Sequence, residues 1–336
     1  MSKPRRSTRR VDGVLLLNKP LGISSQQAVS RARHLFNAAK AGHTGTLDPA
    51  ADGLLPVCFG EATKFSHLLL DADKTYVATL RLGVTTTTGD AEGEVIESKP
   101  PLTERGVILQ VLEKFRGEVV QTPPMHSALK HHGVPLYEYA RKGVAVAREP
   151  RTIRIYELQL IDIKENFLKL RVHCSKGTYI RVLAEDIGAA LGCGASLCAL
   201  TRTHSGALDL THEAACTLDA LQGMSEAERA HQMLPVDTLL ASLPALSVGA
   251  EEAERLLLGQ KLGLKHAVFT GFARIYGPDQ RFLGLVEVGE GGRTVPYRML
   301  AQRSVVRSVV RAGLSAAMSA APSAVTSNVL LEKTPG

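Results

Sequence analysis

Tryptophan is absent and aromatic residues make up only 4% of the 336-residue chain, so any tyrosine in a polar setting stands out. Long apolar runs are missing as well. None reaches the roughly 18–20 residues that a membrane-spanning helix needs, which argues against a membrane role. The N-terminus, MSKPRRSTRR, runs directly into the short apolar Val14-Leu15-Leu16-Leu17, with no hydrophobic core of a signal peptide and no small-residue cleavage site. A cytoplasmic location is expected. The cysteines Cys58, Cys174, Cys193, Cys198 and Cys216 form no C-x-x-C pair and have no histidine at zinc spacing, so they read as small core residues. The formal charge of +7 is concentrated at one end: Lys3, Arg5, Arg6, Arg9 and Arg10 account for most of it. The remaining body is nearly balanced, and contacts to an anionic partner must come from local clusters.

What is present argues for two domains. Residues 13–17 read as a buried strand, followed by a turn at Asn18–Gly22 and a helix from Ser24 or Ser25 to Phe36, with serine as its N-cap. Residues 42–53, GHTGTLDPAADG, have neither strand nor helix periodicity and read as a loop with strict backbone demands. Alternation predicts strands at 75–83, 151–165 and 167–174, with a helix over 103–116 and an insertion over 120–152. Thr178 is the expected cap of a helix running to about Leu191 and closing at Gly192. This mixed order implies an α+β fold, a largely antiparallel central sheet with flanking helices, over 1–240. Short alternating runs such as Phe282–Val288 predict a small β-barrel over 245–310, and the Ala/Ser-rich 311–336 reads as a disordered tail.

Several side chains could carry chemistry. Asp48 precedes Pro49, which pushes it to extended backbone and makes it a stiffly held carboxylate; the alternative is an Asx-turn residue bonding its own backbone. Arg181 falls in the first turn of its helix, where the dipole disfavours a cation. It is either a solvated surface residue or the partner of a loop acid such as Asp48, whose ionised form the pairing would favour. Tyr76 and Tyr179 are either half-buried structural tyrosines or platforms for an unstacked base. His43 is either a loop surface group or one that faces RNA.

The strings Gly13–Pro20 with Gly22 and Ser24-Ser25, GHTGTLDPAADGLLPVCFGEATK (Gly42–Lys64), Lys74-Thr75-Tyr76, SALK with LYEYARKG (Ser127–Gly143) and HCSKGTYIR (His173–Arg181) occur in order along nearly the whole chain. Together they closely resemble the bacterial tRNA pseudouridine-55 synthases of the TruB type. The segment with GLVEV and VPYR resembles a PUA domain, an accessory RNA-binding module. The resemblance implies that Asp48 is the catalytic aspartate, Arg181 its partner and Tyr76 the tyrosine that stacks on the target base. It further implies that Tyr179, Lys64 and Leu200 build the rest of the nucleotide pocket, that Lys19 and Pro20 support the catalytic loop, and that His43 packs against the T-loop. Thr87, His126 and Thr201 depart from the pattern, standing where an acidic, a tyrosine and a basic residue are common.

Such an enzyme breaks the N1–C1′ bond of a uridine, turns the uracil and joins C5 to C1′, with no cofactor and no metal. The implied partner is the T-arm of tRNA, with no obligate protein partner. Lys130, His131, His132, Arg141, Lys142, Arg148, Arg151 and Arg154, in or just after the insertion, are the expected grip on RNA; a solvated basic loop is the alternative. Two rival classes remain: a glycoside hydrolase, which needs a second acid about 5–10 Å from the first, with Glu61 or Asp52 to supply it, and a non-catalytic RNA-binding module.

Overall fold

A computed structural model describes residues 8–127 and 129–301. The expected 311–336 tail, like the basic residues before position 8, lies outside the described residues. The chain divides into two compact units, Met1–Ser242 and Leu243–Gly336.

In the first unit, strand β1 (Gly13–Lys19) places Val14, Leu15, Leu16 and Leu17 at 0% exposure. A run apolar at every position fits a strand covered on both faces. Helix α1 (Ser25–Leu35) follows, and Ser24 caps it through a capping box: its hydroxyl accepts from the Gln27 amide, while the Gln27 side chain accepts from the Ser24 amide. Beyond it lie β2 (Ala41–His43), β3 (Ala51–Phe59) and β4 (Lys74–Leu82). The 42–53 segment is thus shorter as a loop than its sequence suggests, because both ends are drawn into strand pairing, Ala41–His43 against Val57–Phe59 and Gly53 against Lys19. Only 44–50 remain free of the sheet.

Helix α2 (Arg105–Glu113), β5 (Gly117–Gln121), the short helix α3 (Leu136–Arg141), β6 (Arg151–Lys164), β7 (Phe167–Cys174), α4 (Ile180–Ala190) and β8 (Ala195–Ser205) complete the main elements. Thr178 does not cap α4: Tyr179 takes that place, and the Thr178 hydroxyl donates to the Ser175 carbonyl. The eleven-stranded sheet has the main-strand order β1-β3-β8-β4-β7-β6-β5. Its pairings are antiparallel apart from β8 on β3 and a short Cys216–Thr217 strand on β1. Two cores form on it. One gathers α2 and α4 over β4, β6 and β7, and the other packs α1 against β1 and β3. Tyr76 and Leu200 pack against both, so they mark the seam between the halves.

The second unit holds β9 (Ala245–Ser247), α5 (Ala250–Leu257), β10 (Leu262–Gly263), β11 (Gly271–Tyr276), β12 (Phe282–Val288) and β13 (Arg293–Met299), with sheet order β9-β11-β12-β13-β10. The strands curl around a small core of Leu246, Leu256, Ile275, Leu283 and Val286. Helix α5 was not anticipated from the sequence. Ala253 and Leu256 are its buried positions, a stripe too narrow to stand out in a charged segment.

Candidate active site

The 44–50 loop crosses the seam. The hydroxyl of Ser25 holds the residue before Asp48 from both sides, accepting from the Leu47 amide at 2.7 Å and donating to its carbonyl at 2.9 Å. The Gly22 amide binds the Pro49 carbonyl at 2.8 Å, and the Ala51 amide closes a turn onto the Asp48 carbonyl at 3.0 Å. Lys19 is fully buried beside this loop, its ammonium donating to the carbonyls of Pro20 (2.9 Å) and Ile23 (2.8 Å). Burial pushes the Lys19 ammonium down, opposed by the charges of Asp52 and Asp48.

Asp48 projects from this frame with 55% of its side chain exposed, and Arg181 meets it: Nη2 lies 2.8 Å from Oδ2. Arg181 itself is 10% exposed and is held on two further sides, by Asp90 Oδ2 at 3.1 Å from Nε and by the Thr88 carbonyl at 3.3 Å from Nη1. Two carboxylates therefore answer the cation in the first turn of α4, where the dipole opposes it. Asp90 accepts in turn from the Thr88 hydroxyl (2.5 Å) and the Glu92 amide (3.1 Å).

A cavity of about 480 Å³ opens at this pair, and His43, Asp48, Arg181, Leu200 and Arg141 all line it. His43 is half-buried, its Nδ1 accepts from the Gly45 amide at 3.3 Å, and burial with the nearby Arg202 charge pushes its pKa down. Arg141 lies over the ring of Tyr137, 5.4 Å from its centroid, on the wall formed by α3. His126 also lines the cavity.

Tyr76 and Tyr179 are not cavity-lining residues, yet both feel the charge of Asp48. Burial pushes both phenols up; Arg202 opposes this at Tyr76 and the Ser127 hydroxyl at Tyr179. Gln121 clamps the backbone of Tyr179, accepting from its amide at 3.1 Å and donating to its carbonyl at 3.3 Å. Pro20 is exposed at the start of the turn, and Lys64 sits outside the cavity, donating to Glu61 at 2.8 Å. Lys130 is exposed on a separate hairpin, Lys130–His131 against Val134–Pro135. Thr87 accepts from the Glu94 amide at 3.1 Å, and Thr201 lies in β8 opposite Val77.

Three contributors escaped the sequence reading: Ser25, Asp90 and above all Arg202. The Arg202 side chain is buried, its residue 1% exposed, and binds three carbonyls: Leu54 at 2.8 Å, Gly45 at 3.1 Å and Thr46 at 3.4 Å. The Ser24-Ser25 doublet was a usable signal, since one helix needs only one serine cap. For Arg202 no local signal exists, because its partners are about 150 residues away. The acids offered for a hydrolase, Glu61 and Asp52, do not line the cavity; Glu61 is engaged by Lys64 and Arg10.

Comparison with known proteins follows the same lines. A profile of the TruB family pseudouridylate synthase N-terminal domain matches residues 33–180, that of the tRNA pseudouridylate synthase B C-terminal domain matches 181–241, and that of the pseudouridine synthase II TruB C-terminal region matches 244–300. The tRNA pseudouridine synthase B of Burkholderia mallei is 53% identical over 295 residues, covering 86% of this chain and 94% of the relative. That of Dechloromonas aromatica is 53% identical over 296 residues, covering 88% and 98%. Among solved structures, a Cbf5-Nop10-Gar1 complex matches at 27% identity with a TM-score of 0.65, covering 86% of this chain and 84% of that one. From a frame shared over almost its full length, the chain belongs to the TruB family of pseudouridylate synthases.

Proposed function

We propose that this pseudouridine synthase acts on tRNA, converting the T-loop uridine at position 55, with Asp48 as the group that starts the reaction. The observation that carries the reading is the 2.8 Å pair of Asp48 and Arg181 at the mouth of a cavity lined by Leu200 and His43. One exposed carboxylate, aimed by a nearly buried guanidinium, suits a reaction that needs a single anionic oxygen.

The target uridine is stacked in the folded T-arm and must be everted, at a cost of a few kcal/mol recovered through pocket contacts. Tyr76 then supplies the ring on which uracil lies, with Tyr179 and Leu200 bounding it and His43 facing the loop that the base leaves. Lys130 and Arg141 hold phosphates of the T-arm, and Lys19 and Pro20 support the catalytic loop. Three routes balance. Asp48 attacks C1′ and displaces uracil as its N1 anion, or adds to C6 of the ring with the N1–C1′ bond then breaking, or removes the proton at C2′ so that a glycal forms as N1 departs. In each the uracil turns within the pocket and C5 joins C1′, which releases Asp48 from C1′ or C6 or returns its proton to C2′; the C5 proton is lost and N1 takes one up, so the net change is an isomerisation. Such work on tRNA is consistent with the cytoplasmic location expected above.

The test is an Asp48→Asn variant incubated with unmodified tRNA, followed by carbodiimide labelling to map the isomer. Pseudouridine at the T-loop position is expected with the wild type and none with the variant, while tRNA binding is retained. Isomer formation by Asp48→Asn refutes the assignment, and a label elsewhere in the tRNA refutes the substrate site.

A further inference from the structure

We propose that Arg202 is a positioning residue of the reaction: by tying the entering arm of the 44–50 loop to strand β3 from beneath, it sets the backbone that presents Asp48. The inference rests on Asp48 being the initiating group, and it concerns a residue that does not line the cavity.

Three observations carry it. First, the acceptors of Arg202 are concentrated where the loop is anchored: Gly45 and Thr46 on the arm that enters it, and Leu54 within β3, the strand that follows it. The guanidinium fork ties the arm of the loop that follows β2, which ends at His43, to strand β3, whose pairing with β1 fixes Leu54.

Second, the strand that leaves the loop closely admits the backbone of this residue. A side chain at Gly53, where φ is +98°, would place Cβ 2.4 Å from the Arg202 carbonyl oxygen. The glycine that ends the GHTGTLDPAADG motif is thus the seat on which the backbone of Arg202 rests. In the sheet Arg202 lies directly across from Tyr76, so the same residue spans the catalytic loop and the strand bearing the base platform.

Third, its energetics do not favour a purely packing role. Among the described residues Arg202 has no carboxylate in ion-pair range, and a buried cation without one is costly in desolvation. An apolar side chain in its place would leave the carbonyls of Gly45, Thr46 and Leu54 without this donor. Carbonyl dipoles compensate the charge only while the loop keeps its shape, which makes the guanidinium a template for that shape.

Displacing a reacting group by about 1 Å costs on the order of 10²-fold in rate, and Arg202 itself is buried and does not line the cavity. The test is single-turnover pseudouridine formation, enzyme in excess over unmodified tRNA, for Arg202→Lys, Arg202→Gln and Arg202→Met, with tRNA binding measured alongside. A shortage of folded enzyme lowers the amplitude or the binding titre; a misplaced Asp48 lowers the rate constant at full amplitude. Expected are tRNA affinities within about threefold of wild type and a rate constant reduced about 10²-fold for Arg202→Met. Arg202→Lys, which keeps the charge and one or two of the bonds, should recover part of the loss. Unchanged rate constants overturn the proposal, as does failure of all three variants to fold, since the residue then serves the fold alone. Asp48→Asn run beside them separates the two readings: activity in that variant refutes the proposed function, whereas an inactive Asp48→Asn with normal Arg202 variants refutes only the positioning role.

Discussion

Replacing Arg181 by methionine separates the two ion pairs it makes, because they differ in burial. Asp90 is 10% exposed and Asp48 55%, while the guanidinium between them is 10% exposed. Removing one partner of a buried pair costs about 3–5 kcal/mol, chiefly through the charge left behind; an exposed pair is worth about 0.2–1 kcal/mol. Asp90 keeps two donors after the change, the Thr88 hydroxyl and the Glu92 amide, which favours the lower end, about 3 kcal/mol. For a unit of this size that amounts to roughly 6–12 °C in Tm. Nearly all of it should be charged to Asp90. Urea unfolding followed by circular dichroism, on Arg181→Met, Asp90→Asn, Asp48→Asn and the two double variants that contain Arg181→Met, gives the coupling energies. The expected coupling is about 2 kcal/mol or more between positions 181 and 90, and under about 1 kcal/mol between 181 and 48. Arg181→Met/Asp90→Asn should therefore regain stability without regaining activity. A larger coupling to Asp48 than to Asp90 refutes the reasoning, since burial would then not be what decides the worth of each pair.

Arg141 is exposed at the cavity and Lys130 on the Lys130–His131 hairpin, and alanine at either should weaken tRNA binding and reduce the slope of log affinity against log salt by about 1. Filter binding at several KCl concentrations measures this, and an unchanged slope removes that residue from the phosphate contacts. The buried thiols predict an alkaline limit to stability. Burial pushes Cys58 and Cys174 up to about 12 and Cys216 up to about 11, so above about pH 8.5 the unfolded chain releases thiol protons that the folded chain retains. Their contribution is complete below that pH and is lost as pH climbs towards 11–12. Denaturant melts under reducing conditions at pH 7.5 and 10 should show the loss, and Cys58→Ala should show a smaller one; an equal loss in both refutes the assignment to Cys58.

How far the sequence could be read depended on the range of the forces concerned. The α1 helix, its serine cap and strand β7 were legible because capping and alternation act within a few residues. The Asp48–Arg181 pair was legible in part, since a cation in the first turn of a helix asks for an acid, though spacing alone left several candidates. Helix α5 and the strand pairing at both ends of the 44–50 loop were not legible, because they come from packing partners far along the chain. Asp90 and Arg202 were hidden for the same reason. An aspartate after Thr-Gly looks like any turn residue, and an arginine inside an alternating strand looks solvated until the carbonyls of Gly45, Thr46 and Leu54 are seen around it.

The place of β8 in the sheet also bears on how the molecule is born. It inserts between β3 and β4, strands that precede it by more than a hundred residues, and Arg202 reaches back 156 positions to Thr46. A ribosome therefore delivers the aspartate loop long before it delivers the strand that underpins it, and closing so wide a loop is slow as well as late. Until the segment through Ser205 has emerged and slid into its slot, the nascent chain carries the 44–50 loop without the guanidinium that lies beneath it, so this loop takes its final shape only after most of the unit has been made.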